Sequence, residues 1–192
     1  GRNPNKELTE INVRPACFFP KTTGVNYITV GGLNISQASP QWAPPTAEQQ
    51  GIIGPNWSKG WIIENCEISF SKCSGISLGK EYASGHNMWS QYGFHREIEA
   101  ILMAYDLGWN KENIGSHLIK NNTIHHCGQA GIVGHLGGVF SVIENNHIYN
   151  INKYDVPKGL ETAGIKLHAA IDVIIRDNFI HDTERGIWLD WQ

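Results

Sequence analysis

Ile143-Glu144-Asn145-Asn146-His147-Ile148 is one of four copies of a single pattern. The others are Ile63-Glu64-Asn65-Cys66-Glu67-Ile68, Ile119-Lys120-Asn121-Asn122-Thr123-Ile124 and Ile175-Arg176-Asp177-Asn178-Phe179-Ile180. A second short segment follows each copy: Gly75-Ile76-Ser77-Leu78-Gly79, Gly131-Ile132-Val133-Gly134-His135, Gly164-Ile165-Lys166-Leu167-His168 and Gly186-Ile187-Trp188-Leu189-Asp190. The shortest spacing, from Ile119 to Ile143, is 24 residues. A period of that size with short strands and asparagine turns marks a solenoid. Its equivalent positions stack in columns, so the sequence itself shows which side chains are neighbours.

Each coil should add one strand to each of several parallel sheets, with neighbouring strands about 4.8 Å apart. The alternating isoleucines and leucines should point into the cylinder. Asn122, Asn146 and Asn178 hold equivalent turn positions, where they can stack from coil to coil and tolerate left-handed backbone. A sandwich of unrelated strands would show Asn-Gly or Asp-Gly hairpin turns, and none lies between these segments. Val30-Gly31-Gly32-Leu33-Asn34-Ile35 fits the first-strand slot. Gly51-Ile52-Ile53-Gly54-Pro55 begins 16 residues after Ile35, just as Gly164 follows Ile148. Five coils are therefore expected, roughly from Tyr27 to Trp191, in one all-β domain over residues 1–192.

The chain has 192 residues, 41% hydrophobic, with a net charge of −3. That balance gives no electrostatic case for nucleic acid or an anionic membrane as partner. No apolar run approaches the length of a transmembrane helix. The start, Gly1-Arg2-Asn3-Pro4, reads as internal, and Gln192 ends on a strand edge without a polar cap. Both features suggest a piece of a longer protein. Cys17, Cys66, Cys73 and Cys127 form no C-x-x-C pair, which argues against zinc or redox chemistry. Buried free thiols are expected, and these slightly favour a reducing, cytoplasmic compartment. No cofactor and no metal are expected, and a homo-oligomer stays open.

Inserted residues cluster near 36–50, 80–113 and 152–162. All three insertions flank the sheet carrying the G-I-x-L strands, and clustered insertions usually mark the binding face of a solenoid. The largest contains His95-Arg96-Glu97-Ile98-Glu99-Ala100-Ile101-Leu102-Met103-Ala104-Tyr105-Asp106, whose spacing predicts a short amphipathic helix. Trp89, Tyr92, Phe94 and Trp109 beside it either pack the helix onto the coil or stack on a sugar.

Aligning the G-I-x-L strands on glycine places Pro55, Gly79, His135, His168 and Asp190 in one outward column. Ile53, Ser77, Val133, Lys166 and Trp188 fall in the adjacent one. A carboxylate beside two imidazoles, a lysine and two indoles (Trp188 and Trp191) is unlike a bland sheet face. It is either a ladder that only pins the coils or a site. Glu161 and Glu48 each lie three residues before a strand glycine and enter from the loop side. Two carboxylates around a cleft suit glycoside hydrolysis, with an aromatic floor for the sugar ring.

The runs Gln41-Trp42-Ala43-Pro44-Pro45-Thr46-Ala47-Glu48-Gln49, Trp57-Ser58-Lys59-Gly60-Trp61-Ile62-Ile63-Glu64, Ala163-Gly164-Ile165-Lys166-Leu167-His168 and Arg185-Gly186-Ile187-Trp188-Leu189-Asp190-Trp191 carry a resemblance. With Cys73–Lys80 and Gly128–Gly137, they resemble the β-helix region of bacterial β-xylosidases of glycoside hydrolase family 120. That resemblance implies a right-handed parallel β-helix and an exo-acting, retaining enzyme that releases xylose from xylo-oligosaccharides. It implies that Asp190 is the nucleophile and that Glu161 matches an acidic active-site position. It also implies a general acid/base glutamate about one coil further on, and a β-sandwich portion, neither within this chain. The missing glutamate could sit on another chain, the fragment could be inactive alone, or Glu161 could serve in its place. His135, Lys166 and His168 would bind sugar hydroxyls, with Trp188, Trp191 or Trp42 closing the sugar site and Glu48 nearby. A polysaccharide lyase with Lys166 as base, and a non-catalytic carbohydrate-binding or structural β-helix, are the competing classes.

Overall fold

A computed structural model describes residues 3–40, 50–79, 95–153 and 161–190, with only the backbone for 95–97. Three five-stranded sheets, all parallel, are stacked side by side along one axis. The first holds β1 (Thr29–Gly31), β4 (Ile62–Glu64), β7 (Leu118–Lys120), β10 (Val142–Glu144) and β13 (Ile174–Arg176). The second holds β2 (Asn34–Ala38), β5 (Glu67–Ser71), β8 (Thr123–His125), β11 (His147–Tyr149) and β14 (Phe179–His181). The third holds β3 (Gly51–Ile53), β6 (Ser74–Ser77), β9 (Ala130–Gly134), β12 (Ala163–Leu167) and β15 (Ile187–Leu189). The chain visits the three sheets in turn, five times, so the architecture is the all-β parallel helix that the repeats imply.

The register stacks isoleucine on isoleucine. Val30, Ile63, Ile119, Ile143 and Ile175 form one internal column, and Ile35, Ile68, Ile124, Ile148 and Ile180 the next. Ile53, Ile76, Ile132, Ile165 and Ile187 form the third. β-branched side chains suit the pleat and are stiff in χ1, so a column of one residue type packs each coil as the last. The glycines before Ile76, Ile132 and Ile165 are dictated by space. A Cβ on Gly131 would lie 2.5 Å from the Ile148 side chain and 2.6 Å from the Gly164 carbonyl oxygen.

The turn between the first two sheets divides its work between two residues. Asn65, Asn121, Asn145 and Asp177 take the left-handed conformation, at φ between +53° and +55°. Asn122, Asn146 and Asn178 form the coil-to-coil ladder expected of them, but the left-handed backbone belongs to the residue before each. Asn146 Oδ1 accepts from the Asn122 N–H and Nδ2 at 3.0 Å each. Asn146 Nδ2 donates to the Ile119 carbonyl at 3.0 Å and to Asn178 Oδ1 at 2.9 Å. Local backbone need selects the first asparagine, and coil-to-coil pairing selects the second. Asn146→Ala should lower stability by about 3 kcal/mol, because it strands a buried backbone N–H and a buried carbonyl. Chemical denaturation checks this, and a loss under about 0.5 kcal/mol, typical of a neutral surface change, would contradict it.

The register of β3 differs from the sequence alignment. Gly51 pairs with Ser74, not Gly75, and Ile53 pairs with Ile76. Ile53 therefore joins the internal column and leaves the outward one, and the Ile53 to Pro55 end of both outward columns moves with it. The cause is the N-terminal segment. The Cys17 and Phe18 N–H groups donate to the Ile52 carbonyl and the Gly54 N–H donates to the Phe18 carbonyl. This segment bridges to Ile53, while the same strand pairs with β6. Cys66, Cys73 and Cys127 are buried free thiols as expected, but Cys17 is free and exposed on the same segment.

The helix α1 (His95–Asp106) forms where the spacing predicted it. Its contact face is Ala100 and Ala104, each fully buried, whereas Ile98, Leu102 and Tyr105 are exposed. Ala104 packs with Leu136 and Ala169, flanked by Trp57, Ile101 and Trp109. Trp109 also donates its indole N–H to the Leu136 carbonyl at 2.7 Å, so it packs the helix side of the fold. Trp89, Tyr92 and Phe94 lie outside the described residues. Among the described residues no helix is long and apolar enough to cross a membrane.

His117 starts the third coil and is buried. Its Nδ1 accepts the Trp61 N–H at 3.1 Å, which requires a lone pair there. Burial pushes its pKa down to about 4, against a smaller opposing effect of the Gly137 backbone. The unfolded chain binds this proton near pH 6.5 and the folded chain only near 4, so stability falls as pH drops through that window, by about 3 kcal/mol. Comparing unfolding of the protein and its His117→Gln variant at pH 7 and 4.5 isolates this part. Equal pH dependence in both would refute it.

Candidate active site

The charged cluster lies on the outward face of the third sheet. Lys166 stands in β12 between inward Ile165 and Leu167, so the two-residue alternation turns it outward. It lines up with Val133 on β9 and Trp188 on β15. Lys166 is nonetheless fully buried, and an ammonium in that position needs counter-charge. Two carboxylates supply it. Nζ forms an ion pair with Glu161 and lies 3.1 Å from Asp190 Oδ2. The same Asp190 oxygen is 3.5 Å from His168 Nε2. Glu161 and Asp190 keep 12% and 14% of their side-chain surface exposed, so the cluster opens to solvent on its carboxylate side.

Backbone order sets this geometry. The Asp190 N–H donates to the Leu167 carbonyl at 2.9 Å, extending the β12–β15 ladder one residue past the strand. The His168 N–H does the same with Gly134, at 3.0 Å. Asp190, His168 and His135 therefore follow one another across adjacent coils, and the two imidazole rings lie 5.0 Å apart at 31°. His135 Nδ1 accepts the Leu136 N–H at 2.9 Å, so its neutral ring carries the proton on Nε2 and can donate there. His135 and His168 are both buried on this face.

Glu161 adopts left-handed backbone, φ +79°, a conformation that costs a non-glycine residue about 1–3 kcal/mol. Its neighbour Thr162 donates to Glu184 Oε2 at 2.6 Å, tying the segment to the next coil. Arg185 pairs with Glu184 and lies 4.4 Å from the Trp188 ring centroid. Lys166 Nζ is 4.2 Å from the same centroid. Trp188 is thus engaged by two cations, each attracted by the ring quadrupole. Thr162 and Glu184 escaped the column reading because it covered only the second and fourth residues after each glycine, whereas these two stand two residues before Gly164 and Gly186, in one column with Cys73 and Gln129. No sequence signal marks the strained backbone of Glu161.

Of the nine residues singled out, the structure brings together Glu161, Lys166, His168, Trp188, Asp190 and, one step away, His135. Trp42, Glu48 and Trp191 lie outside the described residues. Glu161, His168 and Asp190 offer ligand atoms all within 4.8 Å of one another, a spacing that could hold a cation. The ammonium of Lys166, paired with both carboxylates, takes that role here.

Among solved structures, the chain is similar to the complex structure of XylC with xylose. The TM-score is 0.91 and the identity 58%, covering 100% of this chain and 31% of that one. The chain thus spans about a third of the length of XylC. No curated protein matches it. Residues 50–191 match the family described as right handed beta helix region. That match takes in coils two to five and the whole charged cluster, and with three stacked parallel sheets behind it, the chain belongs to the right-handed β-helix family.

Proposed function

We propose that this chain is the nucleophile-bearing β-helix domain, residues 1–192, of an exo-acting, retaining β-xylosidase that cleaves xylo-oligosaccharides. The carboxylate of Asp190, set on an outward sheet edge between the Lys166 ammonium and the His168 imidazole, carries the reading. The 58% identity with XylC, which was solved with xylose, supports the choice of sugar.

In the first step Asp190 Oδ attacks the anomeric carbon and the glycosidic C–O bond breaks. The leaving oxygen takes a proton from a general acid, giving a glycosyl-aspartate ester. In the second step water attacks the anomeric carbon, the same acid/base group takes the proton, and the Asp190 carboxylate is released with net retention. Lys166 keeps Asp190 ionised at rest. It also holds Glu161 as a carboxylate, which makes Glu161 a poor proton donor and suits it to accepting a sugar hydroxyl. The acid/base then comes from the rest of the whole protein. His135 Nε2 and His168 supply donors to further hydroxyls, and one indole, that of Trp188, Trp191 or Trp42, closes the sugar site.

A lyase would need Lys166 neutral as its base, and two adjacent carboxylates favour the ammonium instead. The test is the anomeric outcome. The full-length protein with an aryl β-xyloside should release β-xylose first, seen by proton NMR before mutarotation. Release of α-xylose, release of an unsaturated uronate from polygalacturonate, or sugar binding without turnover would each reject the proposal.

A further inference from the structure

Glu161 reaches Lys166 from a backbone conformation that a glutamate ordinarily avoids. Such a conformation persists only where its surroundings over-determine it, and it gathers at working sites. The backbone ladder anchors the chain just downstream. The Ala163 N–H donates to the Gln129 carbonyl at 3.3 Å and the Gly164 N–H to the Arg185 carbonyl at 2.8 Å. Glu161 stands two residues before that anchor, with Thr162 between.

Thr162 is buried, and its hydroxyl donates across the coil boundary to Glu184 Oε2 at 2.6 Å. That length is typical of a hydroxyl bonded to a carboxylate, which is about twice as strong as a neutral pair. Glu184 Oε1 accepts from Arg185 Nη1 at 2.9 Å. The Arg185 guanidinium lies over the Trp188 ring that Lys166 also contacts. The contacts close a circuit. It runs from Glu161 to Lys166, Trp188, Arg185, Glu184 and Thr162, and returns to Glu161 through the chain.

Arg185 and Glu184 keep 41% and 42% of their side-chain surface exposed. An ion pair that open to water stabilises little, so its contribution is direction. Arg185 occupies one carboxylate oxygen and leaves the other aimed at Thr162. Pinning the coils needs no carboxylate here, because the Ile165–Ile187 and Ile132–Ile165 pairs already stack them.

We propose that Glu184 is a positioning residue for Glu161. Acting through the Thr162 hydroxyl, it holds the left-handed turn that aims the Glu161 carboxylate at Lys166 and at a xylose hydroxyl. The sugar part of this role rests on the β-xylosidase reading, whereas the turn does not. Neither Glu184 nor Thr162 need touch the substrate.

The test is a double-mutant cycle in the full-length protein with an aryl β-xyloside. Thr162→Val keeps the side-chain shape and loses the hydroxyl, and Glu184→Ala removes the acceptor. Each should lower kcat/KM about tenfold, mostly through KM, because a displaced Glu161 loses a contact made in ground and transition states alike. Thr162→Ser, which keeps the donor, should stay within about twofold of the parent. In a Glu161→Gln background, Thr162→Val should cost less than about twofold, since the group it positions is already gone. A purely structural contribution would lower both backgrounds equally.

Crystal structures of the full-length Thr162→Val and Glu184→Ala variants read the turn without reference to activity. Glu161 should leave positive φ and its carboxylate should withdraw from Lys166. Should Thr162→Val fail to fold, Glu184→Ala, made at a partly exposed side chain, supplies the same comparison. Glu161 unmoved in the variant structures, or equal losses in the two backgrounds, would overturn the proposal. So would a displaced Glu161 with kcat/KM unchanged. A parent without xyloside turnover would instead defeat the β-xylosidase reading, and the crystal structures would still decide the turn.

Discussion

Asp190→Asn in the full-length protein should lower turnover of an aryl β-xyloside by at least about 10³-fold, on the scale seen when a nucleophile is lost. The amide keeps the size of the carboxylate, and the Asp190 N–H to Leu167 carbonyl bond belongs to the backbone, so the fold should persist. What disappears is the negative charge facing Lys166 and His168 at 3.1 and 3.5 Å. With it goes the atom that would bond to the anomeric carbon. The unfolding midpoint should move little by comparison. A variant retaining more than about a tenth of the activity would remove Asp190 from the role of nucleophile.

Lys166→Met should damage both stability and chemistry. The methionine fills the stem volume but leaves two carboxylates close together with no cation between them. Breaking a buried ion pair by removing one partner typically costs about 3–5 kcal/mol. One carboxylate would escape that cost by binding a proton, since like charges raise each other's proton affinity. The acidic limb of the pH–rate profile should therefore move to higher pH, while kcat falls about 100-fold because the proton-bound fraction of Asp190 cannot attack. Thermal unfolding reads the first effect and the pH–rate profile the second. Stability within about 0.5 kcal/mol of the parent, the size of a neutral surface change, together with an unmoved acidic limb, would show that Lys166 is no keystone of the cluster.

Much of the coil frame was legible because one physical requirement repeats five times. Every coil must offer an apolar side chain to the same column, so the Ile143-x-x-x-x-Ile148 spacing and the glycine of each G-I-x-L strand recur and can be aligned. The alignment failed at Gly51-Ile52-Ile53, where the Cys17–Phe18 segment pairs with the strand. It also joined two asparagine roles into one, since Asn145 and Asn146 look alike in composition and differ only in backbone.

The candidate site was legible only in part. Lys166, His168 and Asp190 could be placed together because columns convert sequence spacing into neighbours. The left-handed Glu161 could not, because an inserted segment leads into it and no residue type marks that backbone. The Thr162–Glu184 tie lies two residues before the strand glycines, a column that the alignment of outward positions did not reach.

The sequence alone determined the period, the stacked parallel strands and the side of the third sheet on which Asp190 stands, because the inward–outward alternation of a strand is local. The tertiary structure decided that Lys166 is sealed between two carboxylates. It also decided that Thr162 meets Glu184 across a coil boundary. Those relations depend on distances between segments that only the packed coils bring together.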